Sequence, residues 1–176
     1  MVSIQKIKTT DTAYILYCEN LLVASFPESE RRDLAHLRQI SMHNKAFSAH
    51  IIIDDNQPAG LLNSWNFDDF IFIEHFAIDT AMRNKGIGHQ ALKIIIENRN
   101  RPIVLEVELP EDEISMRRIE FYKRAGFQLW QHEYKQPPYR KGDDFLPMRL
   151  MAAGNLSEKN DFERVKNTLY NQVYFC

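Results

Sequence analysis

The stretch Ile71-Phe72-Ile73-Glu74-His75-Phe76-Ala77-Ile78-Asp79, continued by Thr80-Ala81-Met82 and by Arg83-Asn84-Lys85-Gly86-Ile87-Gly88-His89-Gln90-Ala91-Leu92, decides the fold. Its first part is an almost unbroken apolar, β-branched and aromatic run, the pattern of a strand buried on both faces. A short polar loop follows. The chain then resumes as a helix, in which Ile87, Ala91, Leu92, Ile94, Ile95 and Ile96 form a face suited to packing on a sheet. Gly86 and Gly88 stand at the start of that helix. Glycine lets backbone N–H groups approach a ligand closely, and a helix start offers free N–H groups at the positive end of its dipole. Strand, polar glycine loop and helix N-terminus together make a phosphate cradle.

The rest of the chain sets bounds on what such a cradle can serve. With 176 residues, one domain with a sizeable core is expected. Hydrophobic residues make up 44% and charged residues 26%, a soluble globular balance. The formal net charge of -2 argues against a nucleic-acid or anionic-membrane surface built on bulk charge. Cys18 and Cys176 are too few for a disulfide framework and lack metal-type spacing. The first residues show neither a long apolar segment nor a cleavage pattern, and no apolar run reaches spanning length, so the expectation is a cytoplasmic protein.

Outward from the central stretch, Val2 to Lys8 reads as a first strand. A helix runs through Tyr14, Ile15, Tyr17, Leu21 and Leu22 to near Pro27. Ser29 to His43 reads as a second helix. Phe47 to Asp54 and Pro58 to Asn66 read as strands joined by the turn Asp54-Asp55-Asn56-Gln57, hence antiparallel. Beyond the central helix, Asn98-Arg99-Asn100-Arg101-Pro102 is a stop, and Ile103 to Leu109 is a strand. Strand, helix, strand in this order predicts a parallel pair with a right-handed crossover. Pro110-Glu111-Asp112-Glu113 opens an acid-first helix that runs to Gly126. Phe127 to Tyr134 reads as a strand, Gln136 to Asp144 as a loop and Phe145 to Met151 as the last strand. Asn155 to Tyr174 closes the chain as a helix with Phe162, Val165, Leu169 and Val173 on one face.

Gly86-Ile87-Gly88-His89-Gln90-Ala91 also satisfies the Gly-x-Gly-x-x-Gly/Ala dinucleotide fingerprint, with Glu106 and Glu108 roughly 20 residues on. In that motif the first glycine ends the strand directly. Here Asp79 to Lys85 intervenes, and the further β-α units of a doubly wound domain do not follow.

Arg83-Asn84-Lys85-Gly86-Ile87-Gly88 instead resembles the Gln/Arg-x-x-Gly-x-Gly/Ala pyrophosphate loop of the GCN5-related N-acetyltransferases. Glu74 to Asp79 is similar to the fourth strand of that family. Ser115-Met116-Arg117-Arg118-Ile119-Glu120-Phe121-Tyr122-Lys123-Arg124-Ala125-Gly126-Phe127 is similar to its Asn-x-x-Ala-x-x-x-Tyr-x-x-x-Gly-Phe helix, with Ser115 in place of the usual asparagine. The resemblance covers roughly residues 2 to 152 and implies an α/β fold: a mixed, mostly antiparallel sheet of about seven strands with a central parallel pair, flanked by helices. On this basis residues 1–152 are the acetyltransferase domain. Residues 153–176 are a helical extension packed on it, with a homodimer contact or a wall of the acceptor cleft as the other uses of its apolar stripe.

The resemblance implies acetyl-CoA as co-substrate. The main chain of Phe76, Ala77 and Ile78 would pair with the amide-bearing arm. The N–H groups of Asn84, Lys85, Gly86, Ile87, Gly88 and His89 would hold the pyrophosphate, with charge from Arg83 and Lys85, and Ser115 would stand at the second motif's contact. Acetyl transfer to an amine requires deprotonation of the ammonium, stabilisation of the thioester oxygen and protonation of the leaving thiolate. Tyr122 matches the family's tyrosine beside the sulfur, a proton donor. Two carboxylates, Glu74 and Glu106, lie inside apolar strands, where a carboxylate is costly unless paired, solvated in a cleft or functional; either is a candidate base. His75 is a weaker one, expected on the strand face opposite Glu74. Tyr139 and Arg140, in the loop bordering the acceptor end in this family, are candidates for binding the amine. No metal-ligand spacing is found. The competing reading is a non-catalytic acyl-CoA-binding regulatory module.

Overall fold

The computed structural model describes residues 1–97 and 101–176. An eight-stranded sheet runs through the molecule in the order β1-β2-β3-β4-β5-β8-β6, with β7 also on β8. β1 (Val2–Lys6), β2 (Phe47–Asp54), β3 (Gln57–Asn66) and β4 (Ile71–Ile78) form an antiparallel meander. β5 (Ile103–Glu108) lies parallel to β4, and β8 (Leu146–Ala153) returns antiparallel to β5. The sheet is therefore mixed and mostly antiparallel, as expected from the sequence.

Helices cover both faces. α1 (Thr12–Ser25), α2 (Leu34–His43) and α5 (Glu158–Leu169) close one core, in which Leu22, Trp65, Phe70, Phe72, Val165 and Leu169 are buried. α3 (Ile87–Glu97) and α4 (Glu113–Arg124) close the other, around Leu62, Ile73, Leu92, Leu105, Ile119 and Met151. The stop expected around Asn98 to Asn100 lies outside the described residues.

Three elements differ from the expected ones. The second helix starts at Leu34, not Ser29, because Glu28–Glu30 is a 3-10 turn, Arg31 is extended (φ -146°, ψ 153°), and Asp33 caps the helix by accepting from the His36 N–H at 2.8 Å. The strand expected over Phe127 to Tyr134 is two pieces, β6 (Gln128–Leu129) and β7 (Tyr134–Gln136). Leu129 faces Met151 and Tyr134 faces Met148, so Trp130 to Glu133 bulges out against two residues of β8. The last helix begins at Glu158, capped by Ser157, and after Leu169 widens into a π-helical turn, Tyr170–Tyr174.

Two irregularities build the site. The parallel ladder of β4 and β5 holds only for Ile71–Ile103, Phe72–Val104 and Ile73–Leu105. Both strands continue, to Ile78 and Glu108, so beyond that point they fork. Glu74 and Glu106 are the first residues past the fork. On its other edge β4 pairs His75 with Asn63 but Ile73 with Ser64, which makes Glu74 the extra residue of a β-bulge.

Candidate active site

The fork opens into a cleft of about 710 Å³. Phe76, Ala77 and Ile78 line it from β4, Glu106 and Glu108 from β5, and Phe121 and Tyr122 from α4. Arg83, Asn84, Gly86, Ile87, Gly88 and His89 line its mouth.

The mouth is shaped by backbone conformation. Asn84 (φ 64°) and Gly86 (φ 75°) are left-handed, which coils the loop ahead of α3. The Gly86 carbonyl accepts the first helical bond, from Gln90 N–H at 3.0 Å, leaving the N–H groups of Ile87, Gly88 and His89 without partners in the helix. A Cβ at Gly88 would stand 3.3 Å from both Ile78 and Phe121, so the missing side chain is what lets β4, α3 and α4 converge here. Arg83 reaches back to the Ile78 carbonyl at 3.0 Å and, with Arg117 and Arg124, makes the mouth basic. Such a nest of N–H groups ringed by guanidiniums suits a phosphate-bearing ligand.

Two expected contacts do not reach the cleft. Lys85 is exposed, with its ammonium 3.7 Å from Met82 Sδ. Ser115 is buried in the capping box of α4, where its N–H donates to Asp112 Oδ1 at 2.7 Å and its hydroxyl donates to the Asp112 carbonyl at 3.0 Å. Ser115 thus serves as the N3 member of the capping box, with Asp112 as the cap.

The two carboxylates occupy opposite arms of the fork and different chemical environments. The Glu74 side chain is fully covered, although its main chain is part-exposed at the fork. It accepts from Arg32 Nε at 3.0 Å and from Trp65 Nε1 at 2.8 Å. Burial pushes its carboxyl up, but Arg32, the neighbouring His75 and hydrogen bonds from Trp65 and Tyr139 outweigh burial, and it ends below the usual carboxylate range. Among the described residues Glu106 has no cation of its own. Its Oε1 accepts from the Tyr134 hydroxyl and its Oε2 from the Tyr174 hydroxyl at 2.6 Å. Burial, with the charges of Glu74 and Glu30 behind it, overcomes those bonds and pushes it up to about 7.

The bulge also corrects the expectation for His75. An extra residue at Glu74 upsets the alternation, so His75 and Glu74 both reach Tyr139, His75 by ring stacking at 6.3 Å. Burial lowers the His75 pKa, and its Nε2 lies 3.0 Å from the Glu30 carbonyl. Tyr122 is buried on α4, and burial, with Glu108 nearby, raises its phenol to about 12, so it carries its proton at neutral pH. Tyr139 lines the cleft beneath Arg32, whose guanidinium sits 4.9 Å from the ring centre. Arg140 instead points away to the 3-10 turn, where it donates to the carbonyls of Glu28 and, at 3.3 Å, Arg31.

Arg32, Tyr134 and Tyr174 escaped sequence reading. Arg32 is 2% exposed and also donates to the Val173 carbonyl at 2.6 Å, tying the α1–α2 connection to the chain end. Removing one partner of such a buried pair strands the other charge. Arg32→Ala is therefore expected to cost roughly 3–5 kcal/mol and to lower the unfolding midpoint by on the order of 10 °C. The double change Arg32→Met with Glu74→Leu should recover most of that, as thermal unfolding of the three proteins will show. Among the described residues, no cluster of His, Cys, Asp or Glu is arranged to hold a metal ion. No described helix is long and apolar enough to cross a membrane.

Comparison with known proteins agrees with this architecture. A GNAT-family protein of Bacteroides thetaiotaomicron, provisionally assigned as an acetyltransferase, is 46% identical, with 99% of each chain covered and a TM-score of 0.96. A Bacillus subtilis acetyltransferase solved in complex with CoA shares the fold, with a TM-score of 0.59 at 15% identity over 89% of this chain and 100% of that one. YjbC of Bacillus subtilis, likewise provisionally assigned as an acetyltransferase, is 29% identical over 104 residues, 58% of this chain. The match spans 52% of YjbC, about half of that relative's length. Residues 15–127, more than half of the chain, match the Acetyltransferase (GNAT) family, and the chain belongs to that family.

Proposed function

We propose that the protein is an acetyl-CoA-dependent N-acetyltransferase that moves the acetyl group directly to a primary amine of a small molecule or protein, with Glu106 as general base and Tyr122 as general acid. The observation that carries this reading is Glu106: a carboxyl at the fork, in the cleft, paired with no cation among the described residues and pushed up to about 7. That is where a general base works best. Glu74, ionised and locked to Arg32, supports the site instead by holding the α1–α2 connection against β4.

The residues at the mouth fit the co-substrate. The N–H groups of Ile87, Gly88 and His89 face a basic rim, as a pyrophosphate needs, and Phe76 to Ile78 lie past the end of the β4–β5 ladder, where an amide-bearing arm would run, with Arg83 holding the Ile78 carbonyl. When bound, acetyl-CoA supplies an activated acyl group and a thiol leaving group. Glu106 takes a proton from the incoming ammonium, directly or through a water. As the new N–C bond forms and the C–S bond breaks, Tyr122 donates its proton to the departing sulfur, and the proton that the amide nitrogen then sheds restores the phenol, so that one proton in all leaves through Glu106 to solvent. Tyr139, beside Arg32 and Glu74, stands at the acceptor end.

The direct test is release of the CoA thiol from acetyl-CoA with a panel of amines: polyamines, aminosugars, peptide N-termini and lysine peptides. Release that depends on the amine is expected. Tight acetyl-CoA binding with no release for any amine would instead make the protein a binding module. A thiol, with a pKa near 8.5, leaves with modest help. Tyr122→Phe is therefore expected to lower turnover by about 10²-fold, the low end of acid–base catalysis, with acetyl-CoA affinity little changed. Turnover equal to that of the unaltered protein would leave Tyr122 a packing residue.

A further inference from the structure

We propose that Tyr134 and Tyr174 are positioning residues that together fix the orientation and protonation of Glu106, so that the last turn of the chain belongs to the acid–base apparatus. This rests on the reading of Glu106 as general base. The two phenols reach the carboxyl from separate elements, Tyr134 from β7 and Tyr174 from the π-helical turn, and each takes one oxygen. Both are buried, at 2% and 8% exposure, where a hydroxyl without a partner would be costly. Phenylalanine would fill the same space. What only tyrosine adds is a donor, and both donors are spent on Glu106.

Their own ionisation does not interfere. Burial and the Glu106 charge push both phenols well above the ordinary tyrosine value, so they remain donors across the working range. The groups facing Glu106 come from every side: Glu74 on β4 (paired with Arg32), Glu30 on the 3-10 turn, Tyr139 in the loop after β7, and the two phenols. Opposite it on β8 stands Leu150, without charge. Burial, Glu74 and Glu30 favour the neutral acid, and the two phenols oppose them by donating to the charged form. Without those donors the carboxyl would stay protonated at neutral pH and could not accept a proton.

The chain end is built to hold Tyr174 in place. The Val173 carbonyl accepts from Arg32, and the Tyr174 ring packs on Tyr139 at 5.2 Å. The π-helical widening after Leu169 sets the azimuth of Tyr174 relative to α5. Widened turns of this kind gather at functional sites.

The test uses the full-length protein with its glutamate carboxyls labelled with carbon-13. Each titration is followed by NMR, and the Glu106 signal is identified by its loss in Glu106→Gln. Tyr174→Phe and Tyr134→Phe should each raise the midpoint of Glu106 by about one pH unit, since each removes one hydrogen bond to a charged group. The double variant should raise it further. The acidic limb of kcat/KM should move by the same amount, which lowers the rate at pH 6 about tenfold relative to the alkaline plateau. A carboxyl midpoint unmoved in both single variants overturns the proposal; because the phenols sit on different elements, failure of one variant to fold leaves the other to decide. A midpoint that moves while the rate limb stays put overturns the role of Glu106 as base, and with it the functional reading, but not the hydrogen-bonded unit.

Discussion

Glu106→Gln is expected to reduce turnover toward the upper end of the roughly 10²–10⁴ range of general base catalysis and to abolish the acidic limb of the pH–rate profile. The amine nucleophile is an ammonium at neutral pH, with a pKa near 10.4 for a lysine-like group, so its deprotonation is obligatory. In the unaltered protein activity should be present above the Glu106 pKa and be lost as pH falls through about 7. The amide keeps the shape, can still meet both phenols, and cannot take a proton. A retained acidic limb, measured as kcat/KM from pH 5 to 9, would move deprotonation to another group.

The same variant should show the thermodynamic counterpart. A carboxyl whose pKa is raised on folding binds its proton more tightly in the native state. Its contribution to stability is therefore full below the unfolded carboxylate pKa and is lost as pH rises through about 7. Glu106→Gln should flatten that fall and unfold at a higher temperature than the unaltered protein at pH 8. Glu74→Gln should do the reverse, destabilising the fold by leaving Arg32 without its counter-charge, while the acidic limb survives, moved to lower pH by the loss of the Glu74 charge.

Gly88→Asp is expected to weaken acetyl-CoA binding at least about 100-fold while leaving the protein folded. An acidic residue in the first turn of α3 meets the positive end of the helix dipole, a favourable placement worth about 0.3–1 kcal/mol, and so competes for the N–H groups a phosphate would use. Its Cβ would press on Ile78 and Phe121 at 3.3 Å, a contact that small shifts relieve. Gly88→Ala introduces the same crowding without the charge and separates the two effects. Calorimetry with acetyl-CoA reads the affinities, and thermal unfolding checks the fold. Near-unaltered affinity in Gly88→Asp would remove the α3 N-terminus from the binding site.

The elements legible in the sequence were those whose signals are local. The apolar run of β4, the glycine start of α3, the acid-first start and Gly126 end of α4, and the turn Asp54-Asp55-Asn56-Gln57 between β2 and β3 each specify their element without help from the rest of the chain. The bulge at Glu74 is different in kind. It is set by the register against β3, so it could not be seen in β4 alone, and it carried His75 to the unexpected side. The break between β6 and β7 likewise depends on what β8 offers across the ladder. The pairing of Arg32 with Glu74 spans 42 residues, and that of Tyr174 with Glu106 spans 68. No periodicity links such positions. Asp33 is a local cap signal for α2, but the polar run before it also suits a helix.

The fork between β4 and β5 has a further consequence. A row of unsatisfied amide groups is ordinarily a hazard, because any exposed strand can extend the sheet there. The outer rims are blunted: on one side by the five-residue β1, on the other by the three-residue β7 and the two-residue β6. The stretch without a ladder partner lies instead in the middle of the sheet, past Ile73 and Leu105, in a slot flanked by a strand on each side and backed by α3 and α4. Such a slot admits one extended chain and excludes the edge of a second folded domain. The protein thus keeps its stickiest backbone open to a slender ligand while denying it to other copies of itself.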